Sequence, residues 1–452
     1  MCEARSGHRI DCLATIRAIA PTMAPKLDRA RAIAFANNKG GSGKTFMAFQ
    51  LACEAARSRS GSKVLVIDFS LYSDISALLL GGSAREGIGA AMKGLQTCVD
   101  ATTDAIRAEG LVRALEAAAM AREGVRSESA QAPRRSSVFG SWFARGGERE
   151  PPGGVVDEID VDLTTFTIRP HDYNPEIPEN LYLCAGAGLN SWGDERAHLM
   201  DVDGEEVPLW ARQGDEWVGA GQVFRDAVER LPKEFGAVMI DTDHLAACVL
   251  TKLAFSAADS IVIPLSYNDM DFNRLFSDGT GNSLFNVLLA MDSAGVLKAR
   301  IRKLMFTRVG ATANTPIQSP GGIASPFTPT KTSMAQMDDM ARQIWSVCNA
   351  PAYRNLFSGI EDIEPTEANA VRTFMNEYFG TLKLMPELAS LISTMNGIPV
   401  CNMTTRTYTA ANGLSGNTSA AVLNSLKSEL SMSTRDVMDD DRYNAPISSS
   451  EK

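Results

Sequence analysis

The chain has 452 residues, of which 44% are hydrophobic and 22% are charged, a composition that is ordinary for a globular protein. Its net charge of -10 argues against a broadly basic coat for nucleic acid, although it permits a local basic patch. No apolar run approaches the ~20 residues that span a membrane, and the eight cysteines are scattered without a Cys-x-x-Cys pair, which gives a zinc or iron–sulfur site little support. We therefore expect isolated buried thiols and a cytoplasmic location.

Residues 1–30 are interpreted as a flexible N-terminal extension. The segment contains five basic and three acidic residues, whereas a transit peptide would be poorer in acid and richer in serine. Met23 is an alternative start of the chain.

A glycine-rich segment, Asn37–Thr45, follows the apolar run 32–36 and precedes a helical pattern over 46–57. A strand, a glycine-rich turn and a helix in this order form the context in which such a loop binds phosphate. Glycine at 40, 41 and 43 lets backbone N–H groups surround phosphate oxygens, and the positive end of the following helix attracts the anion. The segment therefore predicts a bound nucleotide.

The end of this loop carries the side chains that nucleotide chemistry requires. Lys44 is expected to reach the β- and γ-phosphates, and the Thr45 hydroxyl is expected to complete the Mg²⁺ shell. The predicted nucleotide-binding residues are Gly40, Gly41, Ser42, Gly43, Lys44, Thr45 and Phe46.

Strand and helix patterns alternate through the rest of the chain, which predicts an α/β fold of the P-loop NTPase type, with a mostly parallel sheet and helices on both faces. Strands are predicted at 63–68, 181–185, 235–241, 260–265, 301–307, 382–386 and 399–401. Helices are predicted at 104–122, 222–231, 245–255, 273–294, 334–347, 366–379, 387–395 and 419–430. Residues 126–154 and 311–332 are interpreted as irregular loops, and 436–452 as an acidic, flexible tail.

Two predicted strands end in a carboxylate. Asp68 ends the strand 63–68, and Asp241 ends the strand 235–241. The carboxyl ends of parallel strands meet at the edge of the sheet where a phosphate loop lies. Asp241 is therefore the expected Mg²⁺ residue, acting through a water molecule.

The chain resembles the ParA/MinD family of ATPases, whose phosphate loop has an additional lysine before its first glycine. Here that lysine is Lys39, in the string KGGSGKT. Other segments that are similar to family motifs are 67–70, 240–243, 257–264, 385–400 and 419–430.

This resemblance covers residues 31 to 430 and implies one ATPase domain over 31–435, with insertions at about 83–178 and 310–380. It implies that ATP and Mg²⁺ are the cofactors and that Lys39, Lys44 and Asp68 are the catalytic residues. It further implies an ATP-sandwich homodimer, in which Lys39 reaches the partner's nucleotide. Non-specific DNA and a protein that stimulates hydrolysis are the implied partners.

One residue departs from the family pattern. The second aspartate of the family's Asp-x-Asp motif orients the attacking water, and that position is Ser70 here. A serine neither accepts the proton of water nor supplies negative charge, and loss of such a group typically slows a reaction by ~10²–10⁴. Asp74 and Asp243 are nearby candidates to replace it, so slow or absent hydrolysis is expected.

Two functions stay open at this point. The first is a partition ATPase that positions DNA or another large cargo, and the second is a hydrolysis-deficient scaffold that binds ATP and dimerises. A metal-cluster carrier of the same fold has little support, because paired cysteines are not apparent. For a DNA surface the candidates are Arg406, Lys427 and Arg435, whereas the acidic C-terminal residues argue against a membrane anchor there. The basic and aromatic segment 134–145 is a further candidate contact with a surface or a partner.

Overall fold

The computed structural model describes residues 29–85, 90–131, 160–186, 188, 192, 209–211, 214–276, 282–410 and 412–438. The predicted loop 126–154 therefore falls largely outside the described residues, as do the segment 134–145 and nearly all of the N-terminal extension. Cys2 and Cys12 also lie outside them, whereas the other six cysteines are buried and unpaired by disulfides.

A seven-stranded sheet forms the centre of the described structure, and its neighbouring strands are all parallel. The strand order is β11-β6-β5-β1-β4-β2-β3. These strands are β1 (Arg31–Phe35), β2 (Lys63–Phe69), β3 (Leu181–Cys184), β4 (Phe235–Thr242), β5 (Ser260–Leu265), β6 (Arg300–Val309) and β11 (Phe379–Lys383). Short strands pair outside the sheet: β7 (Ala311–Ala313) with β10 (Thr328–Pro329), β8 (Ile317–Gln318) with β9 (Ala324–Ser325), and β12 (Tyr408–Thr409) with β13 (Ser415–Gly416).

Each face of the sheet has its own apolar core, because side chains of a strand alternate between the two faces. In β1, Ala32 and Ala34 belong to one core, while Ile33 and Phe35 belong to the other. Apolar side chains therefore occupy both faces of the strand, which explains why the buried strands read as continuous apolar runs in the sequence.

Helices cover both faces. They are α1 (Lys44–Ser58), α2 (Asp74–Leu79), α3 (Lys93–Ala101), α4 (Ala108–Gln131), α5 (Trp217–Glu229), α6 (Val249–Ala257), α7 (Asp269–Phe276), α8 (Leu284–Ser293), α9 (Lys331–Cys348), α10 (Pro351–Arg354), α11 (Ala370–Tyr378), α12 (Glu387–Asn396) and α13 (Ala420–Met438). The predicted fold class, a parallel α/β sheet with helices on both faces, is confirmed.

Several predicted elements have different bounds or a different type. The predicted strand 399–401 is wrong, since Val400–Asn402 form a helical turn in which the Val400 N–H donates to the Gln50 side chain. The predicted helix 273–294 corresponds to α7 and α8, and the predicted helix 366–379 ends where β11 begins. The tail begins later than predicted, because α13 continues to Met438.

The first insertion packs on α2 through close backbone contacts. Gly94 of α3 lies against the backbone of α2, so that a Cβ at this position would fall 1.9 Å from the carbonyl oxygen of Ala77. No side chain can be added there without moving one helix away from the other.

We predict that Gly94→Ala lowers the free energy of unfolding by roughly 1–3 kcal/mol, because overpacking forces backbone shifts of this kind. Urea unfolding monitored by circular dichroism measures the change. Gly61→Ala is the matched control, because a Cβ at Gly61 meets no atom within 4 Å. Equal stabilities of the two variants would contradict the predicted contact between α2 and α3.

Candidate functional site

The loop between β1 and α1 has the backbone that its glycines predict. Gly41 and Gly43 have φ angles of +74° and +97°, in the left-handed region that favours glycine. The end of β6 supports this loop from behind, since the Thr307 hydroxyl donates to the Ser42 carbonyl over 2.9 Å. The neighbouring sheet thus fixes the loop conformation at the N-terminus of α1.

Lys44 is almost fully buried, with 7% of its surface exposed. Its ammonium donates to the backbone carbonyl of Lys39 over 3.0 Å, so it crosses the loop that it belongs to. Burial lowers the pKa of Lys44, while the Asp241, Asp243 and Asp74 carboxylates act in the opposite direction. The amine is therefore held among carboxylates at the loop mouth, where it is available to an anion.

Lys39 lies at the start of the loop and is held within its own chain. Its ammonium donates to the Ser266 hydroxyl over 2.8 Å and pairs with the Asp271 carboxylate over 2.5 Å. Asp271 is fully buried near the start of α7, and its other oxygen accepts from the Ser266 backbone N–H over 2.6 Å. About a quarter of the Lys39 side chain, 23%, is exposed. This pair links the loop to the segment that follows β5.

Asp241 is the penultimate residue of β4 and lies at the same edge of the sheet. It is fully buried, and neither of its carboxylate oxygens accepts a hydrogen bond from the residues that the structure describes. Burial raises the pKa of Asp241 well above its ordinary value, and the Asp68 carboxylate adds to the rise. Two groups oppose this rise in the pKa: the Thr45 hydroxyl and the Lys44 ammonium. The hydroxyl lies close to the carboxylate but without good hydrogen-bond geometry. A buried acid without hydrogen bonds, beside a hydroxyl and a lysine, is suited to a divalent cation.

Asp68 is the direct neighbour of Asp241 across the β2–β4 pairing, and it is compensated differently. One oxygen accepts from the backbone N–H (3.0 Å) and hydroxyl (2.6 Å) of Ser70, and the other from the same two groups of Ser76, at the same two distances. Burial raises the pKa of Asp68 to about 6, although these four hydrogen bonds oppose the rise. Asp68 is thus held rigidly in place, and the Ser70 hydroxyl is engaged with it.

The two candidate replacements for the missing aspartate differ in their surroundings. One oxygen of Asp243 accepts from the Leu71 N–H over 2.8 Å, and the other contacts His244. Burial would raise the pKa of Asp243, but the hydrogen bonds from His244 and Leu71 outweigh it and lower the value. Asp74 is exposed at the start of α2 and lies close enough to Lys44 and Asp243 to interact with both charges. Partial burial raises the pKa of Asp74, the Asp243 carboxylate adds to the rise, and the Lys44 ammonium opposes it. Of the two candidates, Asp74 is therefore the one whose side chain reaches solvent.

A cavity of about 220 Å³ lies against Gly43 of the loop and Phe46 of α1. Its further walls come from the ends of β6 and β11 and from α12 and α13. Arg308, which lines it, is one of the few residues other than glycine with a positive φ, 58°. A cavity between a phosphate loop and two strand ends is positioned to receive the non-phosphate part of a ligand.

The structure thus brings the predicted residues of the loop together with Asp68 and Asp241 at one edge of the sheet. It also places there Ser76, His244, Ser266 and Asp271, which the sequence did not single out. Asp271 carried one signal, an acid a few residues after the apolar run 260–265, but its partner Lys39 is distant in the chain.

The three candidate DNA residues have mixed surroundings. Arg406 pairs with Glu176 and lies over the Tyr408 ring, whereas Lys427 and Arg435 are on α13.

Comparison with known proteins gives a family for this arrangement. The sequence model of the family described as the CobQ/CobB/MinD/ParA nucleotide binding domain matches residues 33–347. No curated protein sequence matches the chain significantly. Among the helices of the described ranges, none combines the length and the apolar character that crossing a bilayer requires.

Solved structures that align with most of this chain include the following three. A variant of Cyanothece McdA in complex with ATP is 11% identical, with 91% of this chain and 96% of that chain covered and a TM-score of 0.44. A plasmid partition protein from Borrelia burgdorferi bound to AMPPNP is 12% identical, with 90% and 98% covered and a TM-score of 0.41. The ParA protein of pNOB8 bound to nonspecific DNA is 13% identical, with 91% and 99% covered and a TM-score of 0.41. Since these TM-scores are below 0.5, the assignment of a family depends on the sequence model.

We predict that Asp241→Asn stabilises the ligand-free protein by about 1–3 kcal/mol at pH 8, because it removes a buried charge without hydrogen bonds. The pKa of Asp241 is higher in the folded state than in the unfolded state. This carboxyl therefore lowers the free energy of unfolding once the pH exceeds its unfolded-state pKa, and the loss grows until the pH passes its folded-state pKa. The advantage of the variant should therefore shrink as the pH is lowered. Urea unfolding in EDTA at several pH values tests this, and a variant less stable than the native protein at pH 8 would contradict it.

Proposed function

Because the chain belongs to the CobQ/CobB/MinD/ParA family of nucleotide-binding domains, we propose that it binds ATP with Mg²⁺ and forms an ATP-dependent homodimer that positions DNA or another large cargo. The observation that carries the proposal is the juxtaposition of a buried Lys44 in a left-handed glycine loop with the Asp241 carboxylate, which accepts no hydrogen bond from the described residues. An anion and a cation together would satisfy both groups.

Backbone N–H groups of residues 40–45 and the Lys44 ammonium would hold the phosphates, with the positive end of α1 adding to the attraction. Lys44 would exchange its bond to the Lys39 carbonyl for a phosphate oxygen. Asp241 and Thr45 would hold Mg²⁺, and their arrangement fits this ion because oxygen donors are the ligands that it prefers. When bound, the ion neutralises charge on the phosphates.

Dimerisation would depend on Lys39. In the single chain this lysine is paired with Asp271, so it must leave that carboxylate before it can reach a nucleotide on a partner chain. Because Asp271 is fully buried, loss of this pair would leave a buried carboxylate without its counter-ion, at a cost on the order of a few kcal/mol. The contacts of Lys39 to a bound triphosphate would have to exceed that cost. The γ-phosphate would then act as the ligand that shifts the equilibrium between the two states of Lys39.

Hydrolysis is expected to be slow. The Ser70 hydroxyl donates to Asp68 and is 5% exposed. It carries no negative charge, and a hydroxyl is a far weaker base than a carboxylate for the proton of an attacking water molecule. Asp243 is occupied by Leu71 and His244, which leaves Asp74 as the exposed acid nearby. This arrangement also supports the second candidate function, a scaffold that binds ATP and dimerises with little turnover.

A partition role implies a surface to work on, and non-specific DNA is the proposed one, together with a protein that stimulates hydrolysis. The candidate cations Arg406, Lys427 and Arg435 would contribute through phosphate contacts. Binding of this kind weakens steeply as salt rises, because it releases counterions. An affinity for DNA that stays constant between low and moderate salt would remove DNA from the proposal.

We predict that ATP, but not ADP, shifts the protein to a dimer in size-exclusion chromatography, and that Lys39→Ala abolishes this shift while nucleotide binding persists. Lys44→Ala should weaken ATP binding itself by at least about tenfold, as measured by isothermal titration calorimetry, because it removes a charge-assisted contact to phosphate.

Asp271→Asn should have the opposite effect on the dimer to Lys39→Ala. It weakens the contact that holds Lys39 within its own chain, so it should strengthen the ATP-dependent dimer several-fold. Identical elution of the native protein with ATP, with ADP and without nucleotide would overturn the sandwich mechanism.

We further predict that phosphate release with Mg·ATP is slow and that Asp74→Asn lowers the remaining rate, because Asp74 is the exposed carboxylate beside Lys44. Asp100→Asn, on α3 and exposed, is the control. A partner-stimulated rise in the rate would favour the partition ATPase, whereas a low rate that no partner raises would favour the scaffold. Rapid turnover that is unchanged in Ser70→Ala and Asp74→Asn would contradict this account of hydrolysis.

A further inference from the structure

A groove lies between α13 and the β8–β9 hairpin, away from the phosphate loop. Side chains of β6 and the backbone of β11 at Gly380 form its floor, on the face of the sheet that α13 covers. Its volume is about 790 Å³, within the ~300–1,000 Å³ of clefts that hold ligands. The groove therefore has room for a short extended segment of protein chain.

The walls of the groove carry exposed apolar side chains. Ile317 of β8 is 37% exposed and Met432 of α13 is 42% exposed, so the hairpin and the helix each contribute one. Met305 and Phe379 also line the groove and are almost fully buried. Exposed apolar side chains that share one groove indicate a surface that another segment of chain covers.

Three basic side chains surround the end of α13 beside the groove. Arg31 donates to the Met438 carbonyl, and Arg302 donates to the Asp436 carbonyl over 3.2 Å. The Lys303 ammonium, which lines the groove, pairs with the Asp436 carboxylate over 2.8 Å. The chain therefore leaves α13 at a cluster of cations.

The charge of this cluster is only partly offset. Asp436 and Glu377 are its acids, and Glu377 pairs with Arg302 over 2.9 Å. Arg435 is exposed on the wall of the groove and adds a further cation. Because the cations outnumber the acids, the rim of the groove is positive and attracts an acidic segment.

Residues 439–452 follow α13 directly and match both properties of the groove. They begin with three consecutive aspartates, 439–441, and continue to Tyr443 and Ile447. Pro446 lies between these two side chains and disfavours a helix there. The segment thus offers acids for the positive rim, followed by two large side chains for the apolar walls.

The segment is also long enough to reach the groove. Met432 lies six residues before Met438, which corresponds to about 9 Å along the axis of α13. An extended chain advances by about 3.3 Å per residue, so about three residues that turn back along the helix cover this distance. Tyr443 therefore reaches the level of Met432 once the three aspartates have passed the cations.

We propose that the groove between α13 and the β8–β9 hairpin is the docking site for residues 439–452 of the same chain. The aspartates lie at the positive rim, and Tyr443 and Ile447 pack against the exposed apolar side chains of the two walls. The inference involves neither nucleotide nor a dimer, so it goes beyond the proposed function and stands or falls apart from it.

Trypsin cleavage after Arg442 tests the docking on the full chain without nucleotide. A docked segment is cut only while it is out of the groove, so the rate follows the population of the released state. Mass spectrometry should show cleavage after Arg442 at least about tenfold slower in the native protein than in a free peptide of residues 436–452. Equal rates would overturn the inference.

Ala324→Trp tests whether the groove causes this protection. Ala324 is exposed and lines the groove, so an indole there fills the space that the segment needs. Cleavage after Arg442 should become at least about fivefold faster. Ala313→Trp is the matched control, because Ala313 is exposed on β7 and is not a lining residue. Equal rates in the two variants, with native stability in urea unfolding, would contradict the proposed site.

Substitutions within the segment test the same contact without altering the described structure. Ile447→Ser, and replacement of the three aspartates by asparagine, should each speed cleavage several-fold relative to a free peptide of the same sequence, because they remove an apolar contact and the charge pairing. The effect of the asparagines should disappear at high salt, which screens exposed charges. If neither variant differs from the native protein, the inference fails. Protection that is lost on dilution would assign the groove to the segment of a second copy and would overturn docking within one chain.

Discussion

The structure depends on the burial of charged side chains at the carboxyl edge of a parallel sheet. Lys44, Asp68 and Asp241 are nearly or fully buried there, and charges in such surroundings cost several kcal/mol unless they are paired or hydrogen-bonded. The three groups come together because β1, β4 and β2 are adjacent and in register, with Asp68 opposite Asp241. The packing that forms the two apolar cores therefore also buries charged side chains at one edge of the sheet. The free-energy cost of that burial is offset by different contacts at each residue.

Asp68 is satisfied internally and Asp241 is not. The two serines that donate to Asp68 connect β2 to α2, and Ser76 also accepts from the Gly186 N–H after β3. These contacts make Asp68 part of the framework of the sheet edge. Asp241, by contrast, has only the nearby Thr45 hydroxyl and the Lys44 charge to offset its burial. A site in which one acid is fixed and its neighbour remains unsatisfied is organised before any ligand arrives, and it favours a cation at the unsatisfied acid.

Much of this could be predicted from the sequence, because it is encoded locally. Asp68 and Asp241 terminate apolar runs that only fit a doubly covered sheet, and the glycines of the loop are needed for their φ angles. Contacts between segments distant in the chain could not be predicted. The pair Lys39–Asp271 depends on where α7 begins relative to the loop, and the hydrogen bond from the Lys383 N–H to the Glu429 carboxylate depends on where β11 ends relative to α13. The helical turn at Val400 was missed for the same reason, since a side chain of α1 satisfies its backbone N–H.

The two lysines of the loop are coupled through one carbonyl group. The Lys44 ammonium donates to the carbonyl of Lys39, while the Lys39 side chain reaches Ser266 and Asp271. A phosphate that attracts Lys44 leaves this carbonyl without its donor, and the carbonyl must then find a new partner or turn towards water. Either change alters the backbone from which the Lys39 side chain extends. Phosphate binding at Lys44 and release of Lys39 from Asp271 therefore involve the same local change in the loop backbone. On the proposed function, this coupling lets the same loop both sense the nucleotide and present the lysine that joins two chains.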